Sequence, residues 1–357
     1  MRFRGFIALS FAVLTTACSD SENYQQVPEV SPVIMDLTAV PYPKLSDYKF
    51  FTGDIREQQP AFGVLPYKPV SELFTDYATK RRFIWLPSGS VGQYVADDQI
   101  LNLPVGAALI KTFSYDNVAP GNNEKLIETR VMIRKESGWI TVNYIWNSQQ
   151  TEAFLDPAGA TVPITFTIGG NTRSISYQIP SEGQCIQCHT LNSEITPIGI
   201  KPQHLNYAIS YPGGSQNQLD KLVAFGYLNS RPANVVSMVN YNDTSADLSL
   251  RVRSYFDINC AHCHADGAMV DYLPLRFSFS ATVDPAAMGV CENAFMQPPG
   301  ITHGKVIKPG DTGQSVLYYT LNTTQSNFKM PRIGRTIIHD EAVALVGDYI
   351  NSLQPCN

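Results

Sequence analysis

Val162, Ile164, Phe166 and Ile168 alternate with polar or small residues, Gly169-Gly170-Asn171 follows, and Ile175, Tyr177 and Ile179 alternate back. A period of two is that of a half-buried strand, so this stretch predicts a β-hairpin. Residues 129–134 and 139–146, rich in β-branched and aromatic types, flank Lys135-Glu136-Ser137-Gly138 and predict a second. Trp85, Trp139 and Trp146 fall in the same half and are expected to pack on sheet faces. From about 181 the period changes. Thr244-x-x-Asp247 has the form of a capping box, and Leu248, Val252, Tyr255 and Phe256 after it share one helical face. That helix runs into Cys260. Near the end, Ala342, Leu345, Val346, Tyr349, Ile350 and Leu353 make a second face, with Asp340 and Glu341 where a helix dipole favours acids. The expected class is α+β. Residues 45–180 form a β-rich domain, 181–243 an irregular segment, and 244–357 a helical C-terminal domain.

The first 17 residues read differently. Arg2 and Arg4 precede an apolar run from Phe6 to Leu14, and small residues lead to Cys18, the pattern of an export signal. Leu14-Thr15-Thr16-Ala17-Cys18 has the form of a lipoprotein signal that makes Cys18 the acylated first residue; an ordinary signal with a chance cysteine is the alternative. Residues 18–44, rich in Ser, Pro, Glu and Gln after Cys18, are expected to be a lipidated tether to a membrane. Ser19 after the cysteine favours the periplasmic face of the outer membrane. Loss of residues 1–17 leaves 24 basic against 31 acidic residues, a net charge of −7. An acidic exported chain is a poor nucleic-acid binder.

Of the seven cysteines, four fall into Cys185-Ile186-Gln187-Cys188-His189 and Cys260-Ala261-His262-Cys263-His264. C-x-x-C-H is the attachment pattern of c-type haem, because two cysteines one helical turn apart reach the two vinyl groups while the next histidine meets the iron. The alternatives are a four-thiolate zinc site, which 71 intervening residues and two idle histidines disfavour, and a redox dithiol. Cys291 and Cys356 remain and are expected to pair. In an oxidising compartment that bridge adds about 4 kcal/mol on the chain-entropy account.

A second axial ligand is expected for each iron. Met330, in the Pro-flanked loop before the closing helix, is the candidate for the second haem; His/Met ligation raises the potential and closes the iron. For the first haem the candidates are His204 and Met238, and a five-coordinate iron stays open. His262 is expected to point away from its own iron, and His303 and His339 to lie at the surface or at a cap. Lys80-Arg81-Arg82 reads as a solvated face, and Arg335 as a partner for haem propionates.

On these residues the chain resembles a family of exported bacterial dihaem c-type cytochromes of unknown physiological role. The resemblance spans nearly everything after residue 45, through VLPYKPVSELFTDYATKRRFIWLP, QCIQCH with PIGIKPQHLN, YFDINCAHCH, and KMPRIGRTIIHDEAVALVGDYI. It implies two covalent haem c groups held by Cys185, Cys188, Cys260 and Cys263, iron ligation by His189, His264 and Met330, and a Cys291–Cys356 bridge. At His204 the chain departs from the resemblance, where asparagine is commoner. The C-terminal part is then expected to be cytochrome c-like, and the activity to be electron relay between a dehydrogenase and a respiratory acceptor through a redox partner protein. A dihaem peroxidase-like enzyme with an open first haem is the alternative.

Overall fold

The computed structural model describes residues 29–356, so the expected leader and Cys18 lie outside the described residues. The alternating segments build one large antiparallel sheet. Its strands are β1 (Leu65–Pro66), β2 (Thr79–Trp85), β3 (Ala108–Val118), β4 (Asn123–Lys135), β5 (Gly138–Trp146) and β6 (Ala153–Leu155), neighbours in that order. The hairpin of β7 (Ala160–Ile168) and β8 (Asn171–Ile179) joins through a single pairing of Phe166 with Val118 at the far end of β3. Gly169 and Gly170 both take positive φ, the backbone a two-residue hairpin turn needs.

Because paired residues face the same way, register assigns each face. Phe83, Ile110, Val131 and Val142 form one transverse row and belong to the first core. The segment before β1 covers that face. Val40, Leu45, Tyr48 and Phe50 are buried in the same core, Val33, Met35, Leu37 and Tyr42 flank it, and Trp85 Nε1 donates to Ser31 Oγ at 2.9 Å. This corrects the expected tether for residues 31–44. Their composition is polar, but the apolar minority is spaced to cover an otherwise bare sheet. The opposite face carries Ile84, Leu109 and Met132 against Ile200, Leu205 and two residues of a helix at Gln218–Ala224, Leu219 and Leu222.

Six helices matter for the site: α1 (Glu182–His189), α2 (Pro202–Leu205), α3 (Gln218–Ala224), α4 (Leu248–Asn259) and, closing the chain, a pair of which the last is Asp340–Ser352. That pair is α5 (Val316–Leu321) and α6 (Asp340–Ser352). Helix α4 starts after Asp247, whose carboxylate caps it by accepting from Leu250 N at 3.0 Å, so Asp247 is the cap residue and Thr244 lies outside the helix. Val252, Tyr255 and Phe256 of α4 meet Leu345, Val346, Tyr349 and Ile350 of α6 in a third core. Cys291 and Cys356 form a disulfide with Cα atoms 5.8 Å apart, which ties the end of α6 to a loop. Sheet and helices together make a mixed α+β protein. No helix among the described residues is long and apolar enough to cross a membrane.

The loop before β2 is threaded into the helical half. Ser71 Oγ donates to Val239 O at 2.7 Å, Phe74 N donates to Asn259 Oδ1 at 2.8 Å, and Phe74 stacks on His339 with ring centroids 4.0 Å apart. His339 holds the N-cap position of α6 without capping it, and its ring is buried, which corrects the expected surface placement. Burial, opposed by Glu341 and aided by Lys80, pushes its pKa down to about 4. The unfolded value is near 6.5, so between the two the unfolded chain alone binds the proton. Stability is full above pH 6.5 and falls by about 3 kcal/mol as pH drops through 4. His339→Phe keeps the stack and is expected to flatten the urea midpoint across that window; an unchanged slope assigns the acid sensitivity to other groups.

Candidate functional site

The first motif is helix α1 itself. Ser181 caps it by accepting from Gln184 N while the Gln184 side chain accepts from Ser181 N, so the motif starts on a fixed turn after β8. Cys185, Cys188 and His189 then share one face of the helix. Thr196 O accepts from His189 Nδ1 at 2.9 Å, which leaves Nε2 as the lone-pair nitrogen. Burial first, then Lys111, pushes the His189 pKa down to about 3, so the imidazole is neutral and able to ligate. It lines a cavity of about 320 Å³ with Gln99, Ile100, Ile198, Asp257 and His262. Cys188 lines the same cavity, whereas Cys185 faces one of about 380 Å³ beside the free edge of β5.

The second motif follows α4 without a break. Cys263 N and His264 N both donate to Cys260 O, at 3.1 and 3.0 Å, which winds the segment into a tight turn. Cys260 and His264 line an apolar cleft with Phe256, Leu275, Phe277, Leu317, Leu321 and Met330. His264 thus shares one cleft with Met330, although 66 residues separate them. Phe277 stands edge-on to the His264 ring at 5.1 Å, and burial pushes the His264 pKa down to about 4. The enclosed volume is about 90 Å³, below the roughly 300–1,000 Å³ of ligand pockets. The exposed Phe295 and the half-buried Met296 form part of its wall, so a bulky group held here displaces them.

The two motifs meet. The sulfurs of Cys188 and Cys263 and one imidazole nitrogen of His262 all lie within 4.8 Å of one another. As free thiols, the hydrogen bond from Cys263 lowers the Cys188 pKa and raises that of Cys263, so Cys188 is the thiolate of the pair. These three residues can bind a soft metal ion.

Beside α1 the sheet presents an unbalanced charge row. Arg82, Lys111, Arg130 and Asn143 are cross-strand partners and face the same way. Glu72 pairs with Arg82 at 3.2 Å and Glu128 forks onto Arg130 at 2.9 and 2.6 Å. Among the described residues Lys111 has no ion-pair or hydrogen-bond partner, and both amide atoms of buried Asn143 are unpaired. Burial and then Arg130 push the Lys111 pKa well down, and burial with Arg82 takes Lys80 to about 7. This corrects the solvated-face reading of Lys80-Arg81-Arg82. The run is a strand, so Arg81 turns to Glu124 while Lys80 and the buried Arg82 turn to the other face, towards Glu72. Alternation within β2 alone hints at this; the row needs the pairing register of four strands.

The other expected ligands lie elsewhere. His204 is fully buried, with Nε2 donating to Asp257 Oδ1 at 3.0 Å, and Met238 is buried with its amide on Gln203 O. Neither lines either motif's cavity. Arg335 is not free to meet a propionate. Its guanidinium donates to the carbonyls of Met330, Ile337, Thr320 and Thr323 at 2.9–3.1 Å and clamps the loop that presents Met330. Scans of the chain against protein-family models, curated proteins and solved structures return no match.

Proposed function

We propose that this chain is a dihaem c-type cytochrome that relays electrons, and that residues 244–357 are its cytochrome c-like part. The observation that carries the reading is the pair of motif histidines, each opening on its own cavity, with Met330 in the same cleft as the second. Haem c bound at each motif supplies a one-electron iron centre. Cys185 and Cys188 would tether the first, Cys260 and Cys263 the second. The bond from His189 Nδ1 to Thr196 O holds Nε2 towards the iron's position, as outer partners of ligating histidines do. In the second cleft His264 and Met330 would hold the iron, and Phe256, Phe277 and Leu321 would keep water from it. Lys111, a neighbour of His189 and Arg130 without an ion-pair partner among the described residues, would regain its proton against a carboxylate of a cofactor held there.

The sulfurs of Cys188 and Cys263 lie within 4.8 Å of each other, so groups tethered through them would need no diffusing carrier between them. The rest of the proposal follows the leader. The chain is exported, anchored through an acylated Cys18 on the periplasmic face of the outer membrane, and exchanges electrons with a redox partner protein there, between a dehydrogenase and a respiratory acceptor.

One observation favours a second reading. Cys188, His262 and Cys263 stand close enough to ligate a single zinc ion in a chain that carries no haem. Co-expression with a c-type maturation system, then intact mass, pyridine haemochrome and zinc analysis, separates the two. Two covalent haems per chain support the cytochrome. A haem-free mass with one zinc, lost on Cys188→Ser, replaces it with the metal site.

A further inference from the structure

We propose that His262, a residue inside the second haem motif, is the distal ligand of the iron carried by the first. The inference rests on the dihaem reading. It starts from how the turn Cys260–His264 divides its side chains. Cys260 and His264 line the second cleft, whereas Ala261, His262, Ala265 and Asp266 line the cavity of His189. One turn of chain is therefore the wall between the two sites, and its odd residue looks the other way.

The remaining donors around that cavity are engaged. Asp257 accepts from Lys201, His204 and Phe279 N, and Lys201 is held by the same carboxylate. Asp98 accepts from Ser280 Oγ, and Asp266 pairs with Arg276. Cys188 belongs to the thioether. His262 differs: its Nδ1 is buried and has no hydrogen-bond partner. A buried imidazole nitrogen left bare is costly unless something takes its lone pair or proton. His262 lines the cavity of a motif that otherwise has one iron ligand.

The assignment orders the two centres. Histidine on both sides of the first iron and histidine with methionine on the second place the first at the lower potential, because methionine ligation raises it. Electrons then enter at the His189 centre and leave at the Met330 centre. A single turn of chain holds an axial ligand of each, so movement of that turn alters both irons together.

The test is His262→Ala in the haem-loaded protein, after intact mass has shown two haems in both forms. The unaltered protein is expected to be fully low-spin and inert to carbon monoxide. The variant is expected to convert one haem of the two to high spin, bind one equivalent of carbon monoxide, and return to low spin on adding imidazole, with the Met330 centre unchanged. His204→Leu is expected to leave the spectrum as it is. An unchanged His262→Ala spectrum overturns the assignment, and so does a wild-type protein that already binds carbon monoxide, which instead brings forward the peroxidase-like enzyme with an open first iron. If the variant does not accumulate, near-infrared magnetic circular dichroism of the unaltered protein decides. One bis-histidine and one histidine–methionine iron support the proposal, and any other pair rejects it. A wild-type mass without haem is distinguishable from all of these, because it removes the dihaem reading before the ligand is in question.

Discussion

Asp257→Ala is expected to lower the unfolding free energy by about 4 kcal/mol, because breaking a buried ion pair leaves uncompensated charge behind. Asp257 is almost completely buried in α4, three residues before Cys260. Its Oδ2 accepts from Lys201 Nζ at 2.8 Å and from Phe279 N at 2.9 Å, and its Oδ1 accepts from His204 Nε2 at 3.0 Å and from Lys201 Nζ. One carboxylate thus fastens the 201–204 segment, the loop at 279 and the helix that delivers the second motif. Burial alone would raise its pKa; Lys201 and His204 outweigh burial and hold it well below the usual carboxylate range. A depressed carboxylate stabilises fully above its unfolded value, near 3.8, and loses that contribution as pH falls through the lower folded value. The difference between wild type and Asp257→Ala in urea unfolding is therefore expected to be constant from pH 5 upward and to shrink below pH 4. Asp257→Asn keeps one acceptor and is expected to lose about half as much. A loss under about 1 kcal/mol for alanine would place this carboxylate among surface ion pairs, against its burial.

Asp76→Ala is the second large expected loss, about 3 kcal/mol, and its first symptom is local. Asp76 accepts at both oxygens: from Thr336 N at 2.7 and 2.9 Å, from Thr336 Oγ1 at 2.8 Å and from Ile337 N at 3.1 Å. With the Arg335 clamp on Met330 O, this fixes the loop that carries the proposed methionine ligand. Removing the carboxylate leaves two part-buried backbone donors without partners. In the haem-loaded protein the methionine-ligated spectrum is expected to disappear at lower urea than the tryptophan signal of the sheet, whereas the two coincide in wild type. Coincident transitions in the variant would show that Asp76 serves global stability and does not hold the loop separately.

Composition revealed the hairpin of β4 and β5 and alternation that of β7 and β8, with Gly169-Gly170 as its turn, whereas β1, β2, β3 and β6 were not read singly. The helices α4 and α6 were legible from their apolar faces. The packing of residues 31–44 was not, since the apolar residues that pack there, Val33, Met35, Leu37, Val40 and Tyr42, sit among Pro, Asp and Thr in too short a run to mark an element. Of the candidate site, the motif cysteines and histidines and Met330 announced themselves by spacing. Lys111, Asn143 and the meeting of His262, expected only to point away from its own iron, with the first motif's cavity did not. The first two acquire meaning only when four strands align Arg82, Lys111, Arg130 and Asn143 in one row. The third depends on which side of one turn the first motif packs. Arg335 was misread for a related reason, as an arginine near a ligand can serve the loop's carbonyls as readily as an anion.

The threading of residues 71–78 into the helical half has a consequence for how the chain comes to be folded. Asp76 leaves the ribosome 260 residues before Thr336, its partner. At about 5–20 residues per second that is a wait of roughly 13–50 s. Throughout it a carboxylate, the backbone of Phe74 and the ring that later stacks on His339 stay in water or in provisional contacts. The sheet can close from its own local hairpins within that time, but the loop at its edge cannot settle until the last fifth of the chain arrives. Synthesis rate and the retention of a nascent chain by holdases therefore bear on this protein's yield more than the stability of its sheet would suggest.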